Sequence, residues 1–388
     1  MNSGQPVRRP RVGIIGISGY GRIHLQLARE WVARGEIDLA AAVVINPEEE
    51  SENVRLLRAA DCRLYGNYDE MLRGEQGRLD LCLIPTGIAW HSRMTLAALR
   101  AGVNVLVEKP LSGSVAEGRA MAAAATAAER FVAVGFQDIY EPVARELKER
   151  LVAGAIGRVR SVRFLGLWPR PPSYFSRNGW AGRLVVDGVP VLDSPLNNAF
   201  AHFVNLGLFL AGPTFAESGA AREVEAVLWR TNAIESFDTG VVRAVTEAGV
   251  RLWFGASHAC AANREPEIVV EGERGRAVWR HERDCVLECN GHGVNRRPLP
   301  LTSETRRSMM TEVVAKLHRS ETFVCGPDMA LHHTALIERV HESAPIEAAP
   351  GTAGFQSIPA IREPILCSRD IEARLFRAFV EDQLPSVH

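Results

Sequence analysis

The 388-residue sequence has almost no net charge, no long apolar run and no paired cysteine spacing. Each absence excludes something. Lys and Arg number 45 against 46 Asp and Glu, a formal charge of -1, so nothing electrostatic favours nucleic acid or an anionic membrane as partner. No stretch approaches the ~20 apolar residues that span a bilayer. Residues 1–10 are polar and basic and lack the apolar core of a secretion signal, so the chain reads as cytoplasmic. The seven cysteines are scattered. Neither Cys285-x-x-x-Cys289 nor His258-x-Cys260 has the spacing of a structural zinc site, so no metal is expected. What is present, 46% hydrophobic residues in a chain longer than one ordinary domain, predicts two packed domains without a flexible linker.

Residues 11–15 form a short apolar strand that runs into Gly16-Ile17-Ser18-Gly19-Tyr20-Gly21. An amphipathic helix follows, with Ile23, Leu25, Leu27, Ala28, Trp31 and Val32 for its buried side. Strand, glycine turn and helix is the setting in which such a motif binds a dinucleotide. Gly16 permits the tight turn, and Gly21 lets helix and strand pack closely. Gly19 and Tyr20 lie in the same turn, ahead of a helix start whose free N–H groups suit a diphosphate. Ser18 replaces the motif's second glycine; its hydroxyl can donate to phosphate, but the backbone approaches less closely. A second strand, 39–45, ends at Asn46-Pro47, where NAD-binding folds place an acid on the adenosine ribose. Asn46 can bond a hydroxyl without repelling a 2′-phosphate, and Arg55 is a candidate partner for that phosphate. NAD and NADP both stay open, as does a plain turn at Asn46-Pro47.

Further strands at 79–84, 103–107 and 131–134 alternate with helices at 92–101 and 114–130, which indicates a doubly wound parallel sheet covered on both faces. Pro85-Thr86 and Glu108-Lys109-Pro110 follow two of these strands and so fall on one rim. That carboxyl edge is where ligands bind in an open α/β sheet. Lys109 there can hold an anion or move a proton; the bland alternative is a surface lysine before a turn.

The ordered series Gly16–Gly21, Arg22-Ile23-His24, Pro85-Thr86, Ala101-Gly102, Glu108-Lys109-Pro110 and Gly154-Ala155-Ile156-Gly157 resembles the Gfo/Idh/MocA oxidoreductases over nearly the whole chain. The resemblance implies an α/β architecture: a Rossmann domain at 1–138 and an α+β domain at 139–388 with a large, mostly antiparallel open sheet. It implies NAD or NADP as cofactor, with Pro85, Thr86 and Glu108 at the cofactor or the strand end. It places Lys109 beside the nicotinamide and the reacting hydroxyl, and carries His91 over less securely because the loop before it looks long. The family's second motif is Asp-x-x-x-His on a helix. His202 matches the histidine, whereas Asn198 occupies the aspartate position and can orient a hydroxyl but cannot take a proton. Asn205 also replaces a frequent acidic residue. The cleft between the two domains is the expected place for the ligand.

In the second domain, alternation predicts strands at 160–168, 224–231, 239–246, 250–257 and 266–271, with helices at 304–319, 328–342 and 368–379. Residues 276–302 read as irregular. One sheet face is expected to pack on helices and the other to meet a second copy, as a homodimer or homotetramer. The loop Arg177-Asn178-Gly179-Trp180-Ala181-Gly182 offers Arg177 and Trp180 to a sugar, with a structural Arg–Trp pair as the competing reading. Glu235, Asp238 and His258 are reserve contacts. The leading expectation is oxidation of a secondary alcohol on a small-molecule carbohydrate or polyol, with Lys109 and His202 catalytic. The alternatives are a redox-type glycosidase holding NAD tightly and a non-catalytic nucleotide or sugar sensor.

Overall fold

The structure, a computed structural model, describes residues 8–290, 293–359 and 361–385. The chain divides into two compact units. The first runs through Leu111 and adds Ala116–Gly135 and Arg306–Pro327; the second comprises Ser112–Val115, Phe136–Thr305 and the chain from Asp328.

In the first unit six strands, β1 (Arg11–Ile15), β2 (Asp38–Val43), β3 (Arg63–Tyr65), β4 (Leu81–Ile84), β5 (Asn104–Val107) and β6 (Val132–Val134), form a sheet in the order β3-β2-β1-β4-β5-β6. All its pairings are parallel. The strands alternate with α1 (Gly21–Ala33), α2 (Ser51–Ala59), α3 (Tyr68–Gly74), α4 (Ile88–Arg100) and α5 (Val115–Ala128). Strands covered on both faces must be apolar throughout, and β4, Leu-Cys-Leu-Ile, is buried at all four residues. The winding reverses beside β1, so a crevice opens at the carboxyl ends of β1 and β4. Helix α4 starts at Ile88 after Gly87, earlier than expected, so His91 lies in a helix and the long loop is absent.

The second unit begins with a 3-10 turn at Gln137–Tyr140 and α6 (Pro142–Val152). There follow β7 (Val159–Leu167), α7 (Pro172–Phe175), the short pair β8 (Val185–Val186) and β9 (Val189–Pro190), and α8 (Ala201–Ala211). Next come β10 (Ala221–Arg230), β11 (Thr239–Thr246), β12 (Arg251–Ser257), β13 (Arg264–Gly272), β14 (Gly275–Arg280), β15 (Asp284–Cys289) and β16 (Gly293–Pro298). The chain then forms α9 (Thr302–Lys316), which from Arg306 belongs to the first unit, and α10 (Pro327–Ser343), β17 (Ile346–Ala348), β18 (Ala353–Gln356), β19 (Ile365–Ser368) and α11 (Ile371–Glu381). Nine strands make a sheet in the order β16-β15-β14-β13-β7-β12-β11-β10-β17, antiparallel except at β7–β12 and β10–β17.

Two expectations change here. Most of the stretch read as irregular, 276–302, is ladder: β14, β15 and β16 pair in continuous antiparallel register. The edge strand β16 is exposed at all six residues and carries Asn295, Arg296 and Arg297. It therefore has no inward face and no alternation to read; backbone bonds alone define it.

The second change concerns the sheet's outer face. Alternate residues of β7 point to opposite sides. On one side Phe164 packs with Phe200 and Phe203, ring centroids 5.8 and 5.9 Å apart. On the other, Leu165, Trp229, Val241 and Trp253 meet Ile371, Leu375, Ala378 and Phe379 of α11. The centre of the face expected to meet a second copy is covered by the chain's own amphipathic last helix. That helix is tied down by Trp253 Nε1 donating to Gln383 O at 2.7 Å and by Arg163 Nη1 donating to Phe379 O at 2.9 Å.

Candidate active site

In the first unit the β1–α1 turn is built for close approach. Gly16 has φ +92° and Gly19 φ +55°, conformations that favour glycine. A Cβ on Gly21 would lie 2.5 Å from Gly16 O, so only glycine lets α1 start this near the strand. The same construction places Pro85 and Thr86 against the turn: a Cβ on Gly16 would be 3.6 Å from Thr86 Cγ2, and one on Gly21 3.7 Å from Pro85 Cγ. Tyr20 is 40% exposed, its ring 5.8 Å from that of His24, with the Arg306 guanidinium 5.7 Å from the Tyr20 centroid.

Ser18 Oγ donates to Asn46 Oδ1 at 2.8 Å, and Asn46 Nδ2 donates to Glu49 Oε2 at 2.6 Å. The hydroxyl read as a phosphate donor is thus engaged with the loop after β2. Arg55, the candidate for a 2′-phosphate, pairs with Glu52 at 2.7 Å.

At the end of β5, Glu108 is buried and meets His24 Nε2 at 2.9 Å, while its other oxygen accepts the Lys109 backbone N–H at 3.0 Å. Burial acts to raise the Glu108 carboxyl. The hydrogen bond and charge of His24, with the Lys109 charge, outweigh it and hold the group below its ordinary range. A Cβ on Gly135 would come within 2.7 Å of Glu108 Oε1, so glycine is needed where β6 ends. Lys109 is half-buried, and its bond to Pro110 is cis. His91 is fully buried between two carbonyls, Nδ1 2.7 Å from Pro110 O and Nε2 3.0 Å from Thr86 O. Burial pushes its pKa down toward the neutral form, which has one N–H to share between them. It links the two strand-end motifs. Sequence reading gave His24 no role of its own. Its position in the first turn of α1, three residues after Gly21, was the available signal.

In the second unit His202 is the second residue of α8, with 11% of its side chain exposed. Its Nδ1 lies 3.8 Å from Oδ2 of Asp138, and Phe136 meets the imidazole edge-on at 6.2 Å. Sequence reading placed Asn198 on the same helix face as His202, but α8 begins only at Ala201 and Asn198 lies in the preceding turn. There its Nδ2 donates to Asp193 Oδ1 at 2.9 Å, and Asp193 Oδ2 accepts Gly182 N–H at 2.6 Å. The bonds there are irregular: Asn198 N–H reaches Ser194 O, Phe200 N–H reaches Pro195 O and Ala201 N–H reaches Asn198 O, so the regular helical register starts only after Asn198.

The far end of α8 is held by Lys148 from α6. Its fully buried Nζ donates to the carbonyls of Phe209 and Gly212, both at 2.6 Å, and of Glu217 at 3.3 Å. Burial pulls its pKa down to about 7 against the raising charge of Glu217. Sequence alone does not single out this lysine.

The Arg177 guanidinium stacks 3.7 Å from the Tyr174 centroid and 5.2 Å from that of Trp180, so the Arg–Trp packing pair is present. The reserve residues hold loops. Asp238 is fully buried and accepts from Thr231 N, Asn232 N and Asn232 Nδ2; His258 Nδ1 is 2.8 Å from Trp168 O; Glu235 accepts from Leu184 N. Among the described residues no cluster of three or more His, Cys, Asp or Glu could hold a metal ion, and no helix is long and apolar enough to cross a membrane.

Residues 11–136 match the family described as oxidoreductase family, NAD-binding Rossmann fold, and residues 144–278 match the GFO/IDH/MocA C-terminal domain. Inositol 2-dehydrogenase 4 of Saccharopolyspora erythraea is 32% identical over 163 residues, 39% of this chain and 43% of that protein. D-apiose dehydrogenase of Paraburkholderia graminis is 27% identical over 291 residues, 73% of this chain and 70% of that protein. The chain thus aligns with less than half the length of the inositol enzyme. The WlbA dehydrogenase from Bordetella pertussis, solved with NADH and UDP-GlcNAcA, superposes with a TM-score of 0.69 at 20% identity, covering 87% of this chain and 97% of that one, a likeness of fold. With its glycine turn, its Glu108-Lys109-Pro110 strand end and matches to both domains, the chain belongs to the Gfo/Idh/MocA family of oxidoreductases, and residues 11–136 are its NAD-binding Rossmann domain.

Proposed function

We propose that the protein is a nicotinamide-dependent dehydrogenase acting on a secondary hydroxyl of a sugar, polyol or sugar derivative, with Lys109 and His202 at the reacting hydroxyl. The observation that supports this most is the rim of the first unit. The Gly16–Gly21 turn, Pro85-Thr86 and Glu108-Lys109 all lie at the carboxyl ends of β1, β4 and β5. The residues fit a dinucleotide: the turn leaves no room for a Cβ at Gly21, and the α1 amino terminus suits a diphosphate. Bound there, the cofactor supplies the hydride acceptor. The chain's own residues do the rest. Lys109, its backbone fixed by Glu108, presents an ammonium stem to the hydroxyl oxygen. His202 is the second group able to hold or move the hydroxyl proton, since imidazole titrates near neutral pH. Arg177, Trp180 and Asn198 are the proposed sugar contacts, a charged donor, a ring face and an amide.

The loop after β2 favours NAD over NADP. Glu49 sits on Asn46, and Arg55 is already paired with Glu52, so a 2′-phosphate there would face carboxylates. The test is NAD and NADP reduction with myo-inositol, D-apiose and D-xylose, alongside Lys109→Ala and His202→Ala. Turnover with NAD, at least ~10²-fold lower in each variant while dinucleotide affinity is kept, is the expected result. Full activity in either variant would remove that residue from the proposal.

A further inference from the structure

We infer that Asp138 is the acidic partner of His202, a positioning residue supplied by the 3-10 turn at Gln137–Tyr140. The inference rests on the reading of His202 given above. Asn198, four residues ahead of His202, cannot carry a negative charge, and its amide is spent on Asp193. Asp138 faces the imidazole from another element. Its Oδ2 is 3.8 Å from His202 Nδ1, and the two side chains are 3% and 11% exposed.

The geometry assigns the two ring nitrogens different work. A carboxylate on the Nδ1 side favours the tautomer with its proton there and raises the basicity of Nε2. Nε2 is then the atom that receives a hydroxyl proton, and Asp138 stabilises the imidazolium that results. The charge stays on the ring, and Asp138 takes no proton itself. Phe136, next but one to Asp138, meets the ring edge-on at 88° and limits its rotation. A separation of 3.8 Å exceeds a direct hydrogen bond. It suits a pair bridged by water or one that tightens when substrate binds.

Two other charges near α8 are engaged elsewhere. Lys148 is bound to the carbonyls at the helix's far end. Asp193 is bound to Asn198 and Gly182. His333, on α10, lies across Phe136, its ring 5.2 Å from that phenyl, with Nε2 directed at Leu196 O.

The deciding experiment needs no substrate. The His202 imidazole is titrated by NMR in the full chain and in Asp138→Asn. Loss of the carboxylate should lower the His202 pKa by about one unit, and Asp138→Glu should restore it. The reciprocal variant, His202→Gln, read at the Asp138 carboxyl carbon, should raise that carboxyl's titration and covers the case in which Asp138→Asn does not fold. Unchanged titrations in both directions overturn the inference. Turnover of NAD with myo-inositol, D-apiose and D-xylose separates it from the parent reading. Asp138→Asn should lower kcat ~10- to 100-fold with KM kept and move the acid limb of the pH profile down. If His202→Ala leaves turnover intact while the NMR coupling is present, the catalytic role of His202 fails and the pairing stands.

Discussion

Glu108 and His24 lie 2.9 Å apart inside the first unit, joining the end of β5 to the first turn of α1. One carboxylate thereby fixes both the helix that follows the glycine turn and, through its second oxygen, the backbone of Lys109. The pair is a mechanical link between the glycine turn and the lysine proposed to act at the hydroxyl.

Breaking this pair should be costly on two counts. Glu108→Ala leaves a buried imidazole and the Lys109 N–H without their acceptor, and is expected to destabilise the chain by about 3 kcal/mol. Urea unfolding measures this. Glu108→Gln keeps the shape and should fold better, yet release Lys109 enough to lower turnover. Equal stability of Glu108→Ala and the parent chain would show the link to be inert.

The glycines of the turn should separate by cause. In Gly21→Ala the new methyl meets Gly16 O at 2.5 Å, so the turn must open and NADH affinity should fall at least ~10-fold by fluorescence titration. Gly19→Ala meets nothing within 4 Å, but its φ of +55° strains an alanine by about 1 kcal/mol. Affinity should drop more for Gly21→Ala than for Gly19→Ala; the reverse order would contradict this packing.

Acid should unfold the protein through buried histidines. Burial pushes His258 down to about 3, helped by the charges of Arg170 and Arg177 against its bond to Trp168 O, and burial takes His341 to about 4. Both lie below the unfolded value near 6.5. Between those limits the unfolded chain binds more protons, so stability is complete above about pH 6.5 and falls as pH drops toward 3. The slope is about 1.4 kcal/mol per pH unit for each group. His258→Gln, which keeps a donor for Trp168 O, should flatten the acid limb in urea melts between pH 7 and 4.

Helix α11 should control whether copies associate through the large sheet. Ending the chain before Ile371 uncovers Trp229, Trp253 and Val241, an apolar surface of the kind that drives association. Sedimentation velocity should show the shortened chain at higher mass than the full chain. An unchanged mass would mean that this face does not self-pair.

Much of the first unit was readable in advance because its strands are short, apolar and closed by glycine or proline. The strand at 11–15 and the Lys109 strand end lie where the pattern puts them. The sheet order and the nearness of Pro85-Thr86 to the glycine turn follow from right-handed β-α-β winding. The second unit was less legible. β16 has no buried face, and Asn198 was assigned by counting four residues along a helix that had not yet begun.

By itself the sequence determined which residues could carry chemistry: a lysine at a strand end, a histidine on an apolar helix, glycines where a side chain would collide. Only the tertiary structure decided their neighbours. His24 for Glu108, Asp138 for His202, Lys148 for the end of α8 and α11 for the sheet face are contacts between residues 61 or more positions apart. Periodicity records which side of an element is buried, not what buries it. Such pairings are selected by packing and by the cost of an unanswered buried charge, and both exist only once the chain has closed on itself.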